Sequence, residues 1–121
     1  MVLVLDDDAG YVDFYRSILN VHDISVGSFT LAEDAIRSFR GMPDLYDCAV
    51  LDVFLHTSEL DGVAVARALR EMRPELPILF ITGLEDDANI AILQKYGQYQ
   101  RKRTTFEKLA EVLYRFASES S

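Results

Sequence analysis

The chain has a single cysteine, Cys48, which excludes an internal disulfide; it lies in an apolar strand-like run and reads as a small buried packing residue rather than a reactive thiol. Its three prolines and six glycines are sparse, and no segment has the polar, low-complexity composition of a disordered region. Long hydrophobic runs are missing as well. Runs such as "PILFI" fall far short of the roughly 20 residues a membrane helix requires, and a strand pattern starting at Val2 leaves no room for a signal peptide. A cytoplasmic location without membrane association is the expectation. Positive charge is the remaining deficit: 12 basic residues against 20 acidic give a formal net charge of -8, which repels phosphate backbones and anionic lipid head groups. Direct nucleic-acid binding is therefore not expected. The one basic cluster, Arg101-Lys102-Arg103, is too short for a nucleic-acid footprint and reads as a charged edge strand that resists edge-to-edge pairing.

What the chain does have is apolar residues, half of its 121, enough for the core of one domain. Runs of strand length occur at 2–5, 24–29, 49–53 and 78–81, with a weaker candidate at 99–102. Between them the apolar residues recur with helical period. Ala32, Ala35, Ile36 and Phe39 form one stripe, Val65, Ala68, Leu69 and Met72 a second, and Phe106, Leu109, Ala110 and Leu113 a third. A first helix over about 9–20 rests on Val12, Tyr15 and Leu19, and a fourth over about 86–96 is the least regular. Thr30 and Glu33 have capping-box spacing before the second helix, and Pro74 closes the third.

Five repeats of strand then helix predict an α/β fold: a doubly wound (βα)5 three-layer sandwich, its open parallel sheet covered on both faces. Right-handed crossovers place helices on both faces only if strand order reverses, and in the order 2-1-3-4-5 the reversal opens a crevice at the carboxyl ends of strands 1 and 3. Asp6 and Asp7 end the first strand and Asp52 ends the third, so this order brings the three carboxylates into one pocket. Anions packed together raise one another's pKa and are costly without a cation among them, and oxygen ligands suit a hard divalent ion such as magnesium. His22 and His56 are lone histidines with no spacing that suits a softer metal. Thr82, which ends the fourth strand in "LFITG", and Lys102, at the end of the candidate fifth strand, lie at the same end of the sheet. A carboxylate nucleophile, a divalent cation, a hydroxyl and an ammonium suit the holding of a phosphoryl group as an aspartyl phosphate.

These residues resemble the receiver domains of two-component response regulators. The resemblance covers essentially the whole chain, residues 1–118 with a polar tail at 119–121, and rests on "LDDD", "VLDV", "ITG" and "YQRK" in order at successive strand ends. It implies that Asp52 accepts a phosphoryl group from a phosphohistidine of a histidine kinase or phosphotransfer protein. It further implies Mg2+ (or Mn2+) held directly by Asp7, mainly through water by Asp6, and by Asp52 and the Phe54 carbonyl. Thr82 would hydrogen-bond the phosphoryl group, Lys102 would pair with it, and Thr82 and Tyr99 would form a switch acting on the face of the fourth helix, fifth strand and fifth helix. Such a domain turns over no substrate; it catalyses its own phosphorylation and a slow autodephosphorylation. Its partners would be an output protein or detached effector domain, and a homodimer through that same face.

Bland readings stand beside these: Asp8 as a helix cap, Thr82 as a β-branched strand end, Tyr99 as ordinary packing, and Arg101 or Arg103 facing inward if the fifth strand slips by one residue. The pattern also departs from the family. His56 stands where proline is usual, Gly62 arrives about two residues late, and Arg103 replaces the usual proline after the lysine, before which a cis peptide is strongly disfavoured. His56 near the acceptor is either accidental or a source of pH sensitivity. The resemblance places Phe54 and Leu84, both apolar, at positions that flank the route of hydrolytic water in this family, and so implies a long-lived phosphoryl group. These departures motivate an alternative, a degenerate receiver acting as a phosphorylation-independent interaction module. A metal-dependent phosphohydrolase with a second Asp two residues after the nucleophile is disfavoured by Phe54. Only "SESS" follows the last helix, so no effector domain is expected within the sequence, which leaves a stand-alone receiver and a piece of a larger regulator equally open.

Overall fold

Strands and helices alternate along the computed structural model, which describes residues 1–55, 61–84 and 86–120. The order is β1 (Val2–Leu5), α1 (Ala9–Val21), β2 (Val26–Phe29), α2 (Ala32–Gly41), β3 (Cys48–Leu51), α3 (Gly62–Met72), β4 (Ile78–Thr82), α4 (Asp87–Gln94), β5 (Gln98–Arg101) and α5 (Phe106–Ser120), with a 3-10 turn at Pro43–Leu45. The strands pair in parallel in the order β2-β1-β3-β4-β5, as the strand-helix repeat predicts. No helix among the described residues is long and apolar enough to cross a membrane.

The period of two in the strands sorts the core into two layers. Leu3, Leu5, Ala49, Leu51, Ile78 and Phe80 point to the side of α2, α3 and α4, where Ile36, Phe39, Leu69 and Leu93 meet them. Val2, Val4, Cys48, Val50, Leu79 and Ile81 point to the side of α1 and α5, against Tyr15, Leu19, Leu109, Leu113 and Phe116. Because β1, β3 and β4 are buried on both faces, they read as continuous apolar runs. The two edges, β2 and β5, carry the half-buried patterns. Cys48 is fully buried in the second layer, where desolvation pushes its thiol up to about 12 and keeps it inert.

Three details differ from the sequence reading. The cap of α2 falls on Leu31, which supplies no side-chain hydrogen bond, so the helix starts one residue later than the Thr30–Glu33 spacing implies. In α5 the buried stripe is Leu109, Leu113, Phe116 and Ala117; Phe106 is 65% exposed and its ring lies 5.1 Å from that of Phe14 on α1. The helix also continues through Ser120, so residues 119 and 120 belong to it. His56 lies outside the described residues.

Close backbone approach explains one glycine near the strand ends. Gly62 begins α3 directly against the main chain after β3, donating its N–H to the Val53 carbonyl at 2.9 Å, and a Cβ there would stand 2.0 Å from the Asp52 carbonyl oxygen. Only glycine fits without moving Asp52. Gly41, at the end of α2, has open space around the equivalent position. Urea denaturation is expected to show Gly62→Ala destabilised by about 2 kcal/mol or more, whereas Gly41→Ala should be neutral or gain up to about 1 kcal/mol from helix propensity. Equal effects would contradict the close approach.

Candidate functional site

The site grows out of the strand ladder continued one residue past each strand. The Asp6 N–H donates to Phe29 O at 3.2 Å, the Asp52 N–H to Leu5 O at 2.9 Å, and the Lys102 N–H to Thr82 O at 2.8 Å. Each backbone is thereby held in the extended register of its strand, and the period of two then decides where the side chains point. Asp6 continues the phase of Val2 and Val4, Asp52 that of Cys48 and Val50, and Lys102 that of Gln98 and Gln100, which pair with Leu79 and Ile81. All three therefore emerge on the α1/α5 side. Thr82 continues the phase of Ile78 and Phe80, and Tyr99 pairs with Phe80, so these two fall on the α3/α4 side.

The Lys102 ammonium sits between two buried carboxylates, 2.8 Å from Asp6 Oδ2 and 3.1 Å from Asp52 Oδ2. This fixes the register of the fifth strand: of the three basic residues, Lys102 reaches inward, while Arg101 and Arg103 are exposed. Burial works against the ammonium charge, but the bond to Asp6 and the field of Asp52 outweigh it and hold the Lys102 pKa above its ordinary value. A further contact was not foreseen from sequence. The Lys102 Nζ lies 4.0 Å from the centroid of the Tyr11 ring, a cation–π arrangement that caps the ammonium on the α1 side. The available signal was position: Tyr11 stands four residues after Asp7, one turn into the helix that starts at the site.

Asp6, Asp7 and Asp52 each turn a carboxylate oxygen to one point, with those oxygens within 4.8 Å of one another. Asp6 is 1% exposed, and its Oδ2 has the Lys102 ion pair but no aligned hydrogen bond. Desolvation, with a smaller push from Asp52 and against the opposing pull of Lys102, raises its pKa to about 6. Three carboxylates against one ammonium leave the cluster with excess negative charge and an underused buried oxygen. That donor set fits a hard divalent cation with oxygen ligands about 2.1 Å away. Asp8, by contrast, caps α1: its carboxylate accepts from the Gly10 N–H at 2.8 Å, and its own N–H donates to Asp6 Oδ1 at 2.9 Å. An open pocket lined by Asp7, Asp8, Ala9, Asp52, Phe54, Gly83 and Lys102 gives access from solvent.

On the other face a chain of hydrogen bonds links Thr82 to Tyr99. Thr82 is fully buried, and its Oγ1 accepts from the Leu84 N–H at 3.3 Å; the Leu84 carbonyl in turn accepts from the Tyr99 hydroxyl at 2.8 Å. Tyr99 is thus half-buried packing and a hydrogen-bonded partner of the threonine loop at once. After Lys102 the chain turns tightly, with Thr104 N–H on Lys102 O at 3.0 Å, and Thr105 Oγ1 then accepts from Lys108 N–H at 3.1 Å to start α5. No cis peptide bond occurs among the described residues.

Comparison with known proteins follows the same lines. A family model described as the response regulator receiver domain matches residues 2–114. The transcriptional regulatory protein ZraR of Salmonella typhimurium is 26% identical over 114 residues, covering 93% of this chain and 25% of its own length. The response regulator protein TodT of Pseudomonas putida is 32% identical over 90 residues, 71% of this chain and 36% of its own length. The chain thus spans about a quarter to a third of these relatives. The crystal structure of the receiver domain of NtrX from Brucella abortus superposes with a TM-score of 0.83 at 23% identity, covering 99% of this chain and 100% of that one.

The raised Asp6 pKa makes the site a cost to folding when nothing but Lys102 offsets it. Below about pH 4 Asp6 is protonated in both states and contributes nothing; between 3.8 and about 6 the folded chain retains a proton that the unfolded chain has released. The penalty therefore accumulates as pH rises, to on the order of 3 kcal/mol above pH 6. Without added divalent cation, Asp6→Asn should become progressively more stable than the parent from pH 4 to pH 6.5 in urea titrations. A stability difference independent of pH would contradict this.

Proposed function

The chain belongs to the response regulator receiver domain family, the signalling module of two-component systems, and from that premise we propose that it is a working phosphoacceptor with Asp52 as its nucleophile. The observation that carries this reading is the Lys102 ammonium held 3.1 Å from Asp52 Oδ2 at the floor of a solvent-accessible acidic pocket. A phosphohistidine presented by a histidine kinase or phosphotransfer protein meets the Asp52 carboxylate in line with the scissile P–N bond. The new O–P bond forms as that bond breaks, with the electron pair leaving on the imidazole nitrogen. Charge at the phosphoryl oxygens is then the main demand, and Lys102 answers it by moving its ion pair from the Asp52 carboxylate to the phosphoryl group.

Magnesium, or manganese, would be held by Asp7, by Asp6 largely through water, by Asp52 and by the Phe54 carbonyl. When bound it supplies positive charge beside the phosphoryl oxygens and neutralises the cluster. The acidic set and the underused Asp6 oxygen support this reading. Thr82 would donate its hydroxyl to the phosphoryl group. Since Leu84 is bonded to both Thr82 Oγ1 and the Tyr99 hydroxyl, displacement of the threonine alters the seat of Tyr99 and with it the surface of α4, β5 and α5. An output protein or detached effector domain, or a second copy forming a homodimer, would read that face. The domain, carried past residue 118 by α5 to Ser120, acts in the cytoplasm, touches nucleic acid only through such partners, and has no substrate beyond its own phosphoryl group.

Lifetime follows from the pocket rim. Phe54 is 45% exposed beside Asp52, and Leu84 lies behind it; neither offers a hydrogen bond to orient water. Incubation with phosphoramidate and Mg2+ should add the mass of one phosphoryl group to the intact chain, with no addition for Asp52→Asn; an adduct that survives this substitution would overturn the assignment. Absence of any adduct under all donors would favour the degenerate, phosphorylation-independent module. Phe54→Asn should shorten the half-life of the phosphoprotein by roughly threefold or more, and an unchanged half-life would contradict the role of Phe54.

A further inference from the structure

Beside the acidic pocket lies a second depression, lined by Tyr11, Gly83, Lys102 and Arg103. The two share Gly83 and Lys102 as walls, so they form one continuous surface that passes over a glycine whose Cβ position is open space. Their electrostatics differ. In the first, the Lys102 charge is committed to Asp6 and Asp52, and the remaining groups are carboxylates. In the second, Arg103 is exposed, and among the described residues its side chain makes no ion pair or hydrogen bond. An uncommitted guanidinium thus stands next to an acceptor whose surroundings repel anions. Tyr11, its ring already fixed against the Lys102 ammonium, supplies a flat apolar wall opposite.

The geometry points to this depression as a subsite for the leaving group of small acyl phosphates. The inference rests on the phosphoacceptor reading of Asp52. With the transferable phosphoryl group against Asp52 and Lys102, the acyl portion extends across Gly83 and lies between the Tyr11 ring and Arg103. As an Asp52 carboxylate oxygen bonds to phosphorus, the bond from phosphorus to the acyl oxygen breaks, and its electron pair stays on that oxygen. The leaving group departs as a carboxylate without needing a proton. Negative charge therefore develops over two coplanar oxygens, the shape a guanidinium binds through two parallel N–H bonds. The interaction is stronger in the transition state than in the ground state, where the acyl group is an uncharged ester-like carbonyl, so it acts on rate. A phosphoramidate behaves differently: its P–N bond breaks to release neutral ammonia, which has nothing to offer Arg103.

Donor preference is the test. Rate constants for modification of the intact chain by acetyl phosphate and by phosphoramidate, each with Mg2+, are followed by mass spectrometry for the parent, Arg103→Gln and Arg103→Lys. Arg103→Gln is expected to lower the ratio of the acetyl phosphate to the phosphoramidate rate constant roughly five- to tenfold, and Arg103→Lys to restore it only in part, since a point charge lacks the paired donors. The ratio cancels any general loss of fold or of magnesium. An unchanged ratio, with the parent modified by both donors, overturns the subsite and leaves the acceptor role of Asp52 standing. A parent modified by neither donor overturns both.

Discussion

One ammonium held between two buried carboxylates organises this molecule. Asp6 and Asp52 stand at the ends of adjacent central strands, almost fully removed from water, and Lys102 reaches both from the far edge of the sheet. Two desolvated anions in contact would be prohibitive alone, and removal of the lysine would strand them. The cation brings the last strand into register: its own N–H bonds Thr82 O, its stem crosses the pocket floor, and the Tyr11 ring closes over it. The polar edge strand "QYQR" has little apolar surface with which to dock, so the ion pair and the ladder to β4 share the task of placing it.

The compensation is incomplete. Counting Asp7, the cluster retains two negative charges beyond what Lys102 neutralises, and a carboxylate oxygen of Asp6 lacks an aligned donor. A site satisfied in full would have no affinity left for a cation or a phosphoryl group. Here stability is held below its optimum at one end of the sheet, an arrangement typical of functional sites. The strand period then separates duties. Asp6, Asp52 and Lys102 lie on the α1/α5 side and Thr82 and Tyr99 on the other, where the Leu84 main chain links them by donating to Thr82 Oγ1 and accepting from the Tyr99 hydroxyl. The two sides meet where the Lys102 N–H donates to the Thr82 carbonyl at 2.8 Å.

Much of this was legible in the sequence. Continuous apolar runs at 2–5, 49–53 and 78–81 marked strands that the structure places at Val2–Leu5, Cys48–Leu51 and Ile78–Thr82, and the alternation with helices implied the strand order and hence the meeting of Asp6, Asp7 and Asp52. The role of Asp8 in "DDD" as a helix cap also followed from its position at the helix start. Periodicity left the inward residue of "RKR" open, because three consecutive basic residues carry no apolar alternation by which to phase an edge strand; the resemblance named Lys102, and the ladder to Thr82 places it inward. Phe106 and Tyr11 failed for opposite reasons. Phe106 fits the helical stripe but is the first residue of α5, largely exposed, where it meets Phe14 rather than the core. Tyr11 fits no stripe, since its partner is a charge that arrives from 91 positions away in sequence.

The central claim is that the carboxylates, the ammonium and the threonine loop act as one phosphoryl-binding unit linked to Tyr99. Amide chemical shifts of the isotopically labelled chain, recorded first with Mg2+ and then with beryllofluoride, a tetrahedral phosphoryl mimic, test it most directly. Magnesium should move the amides of Asp6, Asp7, Asp52 and Phe54, and beryllofluoride should extend the change to Thr82, Leu84, Tyr99 and Lys102. Magnesium shifts elsewhere, or a beryllofluoride response that leaves Thr82, Leu84 and Tyr99 unmoved, would contradict the claim.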